Sequence, residues 1–508
     1  MKKLFYFLST VFLFTTVYSD VLLAQQGSLD ATFGDNGEVH TSFSTLCDEG
    51  QIITMQQDGR FVVAATHTSV ASHEFIAGRF NNDGSIDNSF GLNGSVITPI
   101  GVNKDHPYTV KIQTDGKVVL AGSTNVSFST TNAIAIVRYN SDGSLDNTFG
   151  IQGIVTTVVG QESIAYDLAI LDDGKILIAG TTKNSSGNKD FILVQYTSGG
   201  AIDTSFAQEG MAVTDVNASD NEINSLQVLN DGKLLVSGFI GTNITNFVLA
   251  RYTINGILDT TFGEQGMIIT DVSDEMTNSS FALAVQNDGK IIVGGRSGDD
   301  FAVVRYEENG ILDMTFGEEG VVITNLNLLK GEQVQSICVL LDGRIAVAGG
   351  GTTSDAGGGG RGAMVLYSSL GVIDSTFGIN GVVFQNYGYH LVCGNSMLIQ
   401  DDGKIVVGWD GDSGFTLSRY LVDYVLKVKM PISANLKVFP NPVGNEIYFE
   451  LDELLHENRY SIYDILGREI KSGIFASDKP VIKTEDLQKG IYYGRISENG
   501  STFKFVKE

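Results

Sequence analysis

His67 and His73 stand close together in the chain with Glu74 beside the second, and two imidazoles with a carboxylate can hold a transition metal. A histidine-bearing surface loop is the simpler reading. The stretches Asn81–Asp87 and Asn140–Asp146 (Asn-Asn/Ser-Asp-Gly-Ser-Ile/Leu-Asp) resemble calcium loops in their density of side-chain oxygens. Neither is followed by the terminal Glu such a loop uses. A hairpin turn in which Asp caps backbone amides explains both. The sequence has no G-x-S-x-G elbow, HExxH or phosphate-binding loop. Its 59 acidic residues do not resolve into an acid/base pair by spacing. No catalytic residue, metal site or cofactor is therefore expected. Arginine recurs before an aromatic at Arg79-Phe80, Arg138-Tyr139, Arg251-Tyr252, Arg305-Tyr306 and Arg419-Tyr420, replaced by Gln195-Tyr196 and Leu366-Tyr367 in two copies. Such an arginine is expected to pair with a repeated carboxylate inside the fold rather than with a ligand.

The repeat that positions these residues has seven copies. Asp30, Asp87, Asp146, Asp203, Asp259, Asp313 and Asp374 each follow Leu or Ile, with Phe three residues on at Phe33, Phe90, Phe149, Phe206, Phe262, Phe316 and Phe377. A period of 54–61 residues signals a solenoid, propeller or array. Each unit also carries an Asp-Gly-Lys/Arg turn, as in Asp173-Gly174-Lys175, followed by a short apolar run such as Ile176–Ala179. Four short strands joined by Gly-centred turns make a meander. Seven meanders arranged radially predict an all-β fold, a seven-bladed β-propeller of four-stranded blades over residues 27–420, which protects the sheet edges a linear array would leave open. With strands labelled a to d and Asp-Gly-Lys between a and b, the chain begins with a d strand, Glu38–Phe43. It ends with an a-b-c set in Gly394–Tyr420. The two are expected to close the ring.

A residue present in every copy serves the fold, so recognition is expected where copies differ. The a–b and c–d turns are near-identical and share one face. The other face carries the variable b–c and d–a segments, including Thr66–Glu74, Ser123–Asn132, Thr181–Asp190, Gly101–Tyr108 and Gln385–Cys393. A ligand site is expected there around Tyr108, Tyr387, Tyr389 and His390, near the channel mouth. Cys47 and Cys393 are expected in d–a connections of adjacent blades. A disulfide would need their Cα atoms within ~7 Å, and two separate thiols is the simpler expectation.

The motifs Gly-Ser-Leu-Asp-x-Thr-Phe-Gly and Gln-x-Asp-Gly-Lys-Ile-Val-Val-Ala-Gly resemble the delta-60 repeat of bacterial secreted proteins, a likeness that covers residues 27–420 and implies architecture without chemistry. After a connector at 421–434, residues 435–508 carry Phe439-Pro440-Asn441-Pro442, Tyr463-Asp464-Ile465-Leu466-Gly467-Arg468-Glu469 and Lys489-Gly490-Ile491-Tyr492-Tyr493. This resembles the type A C-terminal sorting domain of the type IX secretion system of Bacteroidota. The resemblance implies a small β-sandwich, with Pro440, Asn441, Pro442, Gly467 and Gly490 as its motif. It also implies recognition by the secretion machinery and removal at the cell surface.

Residues 1–24 read as a signal peptide: Lys2 and Lys3, then an apolar run to Val17, then Ser19 and Ala24 as cleavage positions. No later apolar run is long enough to span a membrane. A net charge of −26 argues against nucleic acid and anionic membrane surfaces as partners. The sequence thus describes an exported propeller, secreted or held on the outer cell surface, that binds or scaffolds, with an extracellular glycan or protein as ligand. The rival is a secreted carbohydrate-active enzyme, hydrolase or lyase, with its site on the variable-loop face. That rival rests on fold analogy, and a non-repeated acid pair or His/Tyr/Arg set at the channel mouth would favour it.

Overall fold

The computed structural model describes residues 25–42, 47–69, 72–102, 104–126, 131–273, 276–326, 330–352, 360–385, 392–409, 414–422, 437–450, 459–463, 469–474, 481–496 and 502–507. Two compact units divide the chain, Met1–Asp423 and Tyr424–Glu508. The described residues contain no helix.

The first unit is a seven-bladed β-propeller. Blade 1 pairs Cys47–Met55, Phe61–Thr68, His73–Phe80 and Ser95–Thr98 as antiparallel strands a to d. The same order gives blade 2 (105–157), blade 3 (162–214), blade 4 (221–270), blade 5 (278–324) and blade 6 (330–385). Blade 7 takes strands a to c from Val392–Ile399, Ile405–Trp409 and Phe415–Tyr420. Its outer strand is Glu38–Thr41, paired antiparallel to Phe415–Tyr420 with Glu38 opposite Ser418 and Thr41 opposite Phe415. The ring therefore closes by the N-terminal strand, as the order of signals predicts, and no blade edge is left for another chain to pair with at this seam.

Strands b and c are buried on both faces, which is why they read as continuous apolar runs. The a strands are innermost and lie side by side around a closed circle. Blades 6 and 7 touch more closely: Gly350 and Gly351 of strand b in blade 6 bridge to Cys393 and Val392. The absence of Cβ atoms in the Gly349-Gly350-Gly351 run admits that approach.

Two expectations are corrected. The strands run further into the variable segments than their apolar residues suggest. Thr181–Lys183 and Lys189–Asp190 pair across the b–c hairpin of blade 3, and His67 and His73 lie on paired strands, not in a loop. The residues at these ends are polar yet buried or half-buried, Thr181, Thr182 and Asp190 among the buried, and their backbones complete the ladder. Likewise Cys47 and Cys393 begin the a strands of blades 1 and 7 rather than sitting in d–a connections. Their side chains lie outside the described residues.

The second unit packs a three-stranded sheet (Lys437–Phe439, Glu446–Glu450, Val481–Lys483) on a four-stranded one (Glu469–Ile474, Arg459–Tyr463, Gly490–Ile496, Thr502–Lys507). Val443, Ile447 and Ile482 from one side meet Ile462, Tyr492 and Phe505 from the other, giving a small β-sandwich core. Asn441 ties the Pro440-Asn441-Pro442 segment to the last strand. Its side-chain oxygen accepts from the Val506 amide at 2.9 Å and its nitrogen donates to the Lys504 carbonyl at 3.3 Å. Gly490 opens a core strand. Gly467 lies outside the described residues, between the antiparallel strands Arg459–Tyr463 and Glu469–Ile474.

Candidate functional site

Each blade carries one electrostatic clip on the face of the a–b and c–d turns. In blade 2 the buried Arg138 donates from Nε to Asp146 Oδ2 at 2.8 Å, and its guanidinium lies 4.4 Å from the centre of the Phe149 ring. Asp146 Oδ1 accepts from the amide and hydroxyl of Thr148, and Lys117 of the a–b turn approaches Oδ2 at 3.5 Å. Its Nη1 reaches forward to donate to the Ser198 carbonyl in blade 3 at 2.6 Å. Burial alone would raise the Asp146 carboxyl, but the Thr148 hydroxyl and amide and the Arg138 charge outweigh it and hold it down at about 2.

The same contacts recur at Arg79–Asp87, Arg251–Asp259, Arg305–Asp313 and, across the closure, Arg419–Asp30. In blade 3 Gln195 donates to Asp203 at 2.9 Å in place of arginine. In blade 6, where Leu366 offers nothing, Arg344 of the a–b turn reaches Asp374 at 3.2 Å. The repeated charges are thus consumed by the fold, as expected. Asp83 Oδ1 accepts from the amide and hydroxyl of Ser85, so the calcium-like stretch is a capped turn.

Grooves of about 560 to 730 Å³ lie between neighbouring a–b turns on this face, lined by Asp231, Lys233, Asp288 and Glu307 in one instance. They recur from blade to blade. Lys233 is engaged by Asp231 and Asp259, and in the next blade Lys290 is engaged by Glu307 and Asp313. These grooves are valleys of the repeat with their cations already committed.

The opposite face differs in every blade. Tyr108 lies on strand a of blade 2 (Asp105–Ile112), not in the loop before it, and is 38% exposed. Its ring packs 5.3 Å from that of Tyr166, on strand a of blade 3 (Glu162–Ile170), at an interplanar angle of 56°. Glu222, at the start of the next a strand, Asn221–Val228, lies near enough for its charge to act on the Tyr166 phenol. Lys189 donates to the same carboxylate at 2.6 Å, and Asn132 donates to Glu162. Burial first, then the negative charges of Glu222 and Glu162, pushes the Tyr166 phenol far above its ordinary value. Burial likewise raises the Tyr108 phenol.

A second polar group lies one blade back. The rings of His73 and His106 are 5.0 Å apart, Thr66 Oγ1 is 3.2 Å from His106 Nδ1, and His67 Nε2 stands 3.9 Å from Glu74. No three His, Cys, Asp or Glu among the described residues are placed to hold a metal ion.

Of the expected site residues, Tyr108 lies on an innermost strand, near its d–a end. Tyr387, Tyr389 and His390 lie outside the described residues. Tyr166, Glu162, Glu222 and Lys189 were not foreseen from sequence.

Residues 56–90, 113–149, 171–206, 229–262 and 286–316 match the family described as domain of unknown function (DUF5122) β-propeller. Residues 437–508 match the secretion system C-terminal sorting domain. The chain carries DUF5122 propeller repeats and a type IX secretion sorting tail. A tail of this kind engages the secretion machinery and marks the propeller for export to the cell surface or beyond it. The five DUF5122 matches fall on blades 1 to 5. Each begins by the a–b turn and ends at the c–d phenylalanine, the two ends of the clip. No curated protein matches the chain.

Among solved structures the chain is similar to PorZ of Porphyromonas gingivalis, described as an essential bacterial surface component of the type-IX secretion system. The identity is 12%, 91% of this chain and 74% of that one are covered, and the TM-score is 0.33. It is also similar to the polysaccharide lyase Uly1 (11% identity, 80% and 94% covered, TM-score 0.46). A third similar structure is Drosophila Semaphorin 2a (8% identity, 95% and 98% covered, TM-score 0.44).

Proposed function

We propose that the propeller is a binding or scaffold module whose recognition surface is the b–c and d–a face around the channel mouth, with an extracellular glycan or protein as its ligand. The observation that carries this reading is the division of polar residues between the two faces. Repeated charges pair with one another in clips, whereas the opposite face displays a tyrosine pair confined to two neighbouring blades, Tyr108 and Tyr166, and the unrepeated Glu162, Glu222 and Lys189. Variable side chains on a rigid scaffold are the usual seat of recognition. Tyr387, Tyr389 and His390 belong to the same face by chain order. In this reading residues 1–24 are removed on export, 421–434 link the two domains, and 435–508 are cleaved after translocation.

The enzyme reading has one observation in its favour, the Glu162 and Glu222 carboxylates whose charges act on Tyr166. The upward direction of the Tyr166 shift leaves it only an acid's role. A phenol held well above its ordinary value stays protonated at neutral pH and donates a hydrogen bond; it is neither base nor nucleophile. Two experiments test the proposal. The purified full chain is screened against arrayed glycans and extracellular proteins; at least one class binding saturably supports it, and none binding contradicts it. Intact-mass analysis of the exported form places its C-terminus near 421–434, and a terminus at Glu508 contradicts cleavage.

A further inference from the structure

All seven a strands carry extra length relative to their b partners. The a–b register skips at Tyr108, Tyr166, Asn224, Phe281, Gln335 and Asn395, and at residues 50–51 in blade 1. These are β-bulges, which turn one side chain away from the ladder. The fold enforces them. Gly180 faces the bulge of blade 3, and a Cβ there would lie 2.0 Å from the Ile164 carbonyl oxygen; Gly122, Gly238, Gly295 and Gly349 are equally crowded. In blade 7 the roles exchange: Trp409 occupies the b position and Gly394 faces it, where a Cβ would lie 3.0 Å from the indole.

The bulge repeats in every blade, but its occupant varies among Tyr, Asn, Phe and Gln. Pro107 and Thr109 are buried on either side of half-exposed Tyr108, and Ser280 and Ala282 are buried on either side of partly exposed Phe281. On the innermost strand of a propeller, solvent means the channel.

We propose that the bulge residues along blades 2 to 5, Tyr108, Tyr166 and Phe281, form a stacking platform for a neutral glycan entering the channel mouth. This rests on the binding-module reading and names its ligand class. Flat aromatic faces receive the apolar C–H face of a pyranose ring, and phenol hydroxyls bond its rim. Polar groups that match sugar hydroxyls border the platform: the Lys189–Glu222 pair, the Asn132–Glu162 pair and the bulge amide Asn224, whose nitrogen donates to the Ser280 carbonyl. A few placed polar groups around aromatic walls are the make-up of a ligand site. The carboxylates Glu162, Glu222 and Asp167 along the same arc disfavour uronates, sulfated sugars and nucleic acids.

The test is isothermal titration of the full chain with cello-, xylo-, manno- and malto-hexaose, and with an oligogalacturonate of equal length. At least one neutral hexaose binds and the oligogalacturonate does not. Tyr108→Ala weakens that binding tenfold or more with an unchanged melting temperature, while Tyr108→Phe, which keeps the ring, stays within about twofold. Gly180→Ala, which must displace the Tyr166 bulge, also weakens it. No binding by any neutral hexaose, or binding by the oligogalacturonate alone, overturns the proposal. So does neutral binding indifferent to Tyr108→Ala. In each of those cases a protein or other glycan found by the array screen leaves the binding-module reading standing, and an empty array removes both.

Discussion

The two faces of the propeller are built from the same four-stranded unit, yet they use charge in opposite ways. On the turn face, Arg138 and Asp146 repeat almost unchanged as Arg305 and Asp313 three blades on, with the same 2.8 Å contact and the same arginine over phenylalanine. At the bulges of the inner strands the repeat holds for only one step: the residues equivalent to Tyr108 are Tyr166, then Asn224 and Phe281, in successive blades. A charge that is desolvated and paired at every copy is part of the structure's cohesion. A polar residue that occurs once, on a position the backbone holds fixed, is free to serve a ligand. Repetition therefore separates the two roles more clearly than burial or residue type does.

The largest effect expected from breaking the first face is at the closure. Deleting residues 27–46 removes Glu38–Thr41, exposes the edge of Phe415–Tyr420 and leaves Arg419 buried without Asp30. Cooperative thermal unfolding is expected to disappear, followed by circular dichroism. A truncated chain that melts as sharply and as hot as the parent contradicts the account.

Acid should distinguish the faces next. Asp30 and Asp146 are held down to about 2 from an ordinary 3.8. A carboxyl whose folded value is depressed contributes stability above its unfolded value and loses it as pH falls through the folded one. Each should add on the order of 2 kcal/mol near neutrality, flat down to about pH 4 and lost between about 4 and 2. Denaturant midpoints measured across that window check it. Tyr108→Ala should leave the curve's shape unchanged, because the tyrosines titrate at the alkaline end. A midpoint that rises on acidification would contradict the clip.

The smallest effect concerns the thiols. Cys338 is half-buried, donates weakly to the Met397 carbonyl at 3.3 Å, and burial pushes its thiol up to about 12. It should resist a thiol reagent in the native chain at pH 8 and react on unfolding. Three thiols are expected from the unfolded chain. A count of one would show that Cys47 and Cys393 are bonded.

Much of the fold was legible because its signals are local. Asp-Gly-Lys/Arg marks each a–b turn, and Leu/Ile-Asp-x-Thr/Ser-Phe marks each c–d turn, so blade count, strand order and closure follow from spacing. The arginine–aspartate pairing was legible from repetition alone. Strand ends were not, because Thr181–Lys183 and His67 belong to the ladder through backbone bonds that polar side chains conceal. Tyr166 was missed although a signal existed. It precedes the b-strand glycine by the same fourteen residues that separate Tyr108 from Gly122 and Asn224 from Gly238. A bulge adds its residue without breaking the apolar pattern, so alternation does not reveal which side chain is turned out.

The separation of roles is tested most directly by denaturant unfolding of Arg138→Ala beside Tyr108→Ala. Removing the guanidinium strands a buried carboxylate, and breaking such a pair costs about 3 kcal/mol or more. Removing a half-exposed ring at the mouth should cost under about 1 kcal/mol. The account predicts that ordering with a clear gap. Equal losses, or a larger loss from Tyr108→Ala, would show that the bulge residues hold the ring together and that the two faces do not divide structure from recognition.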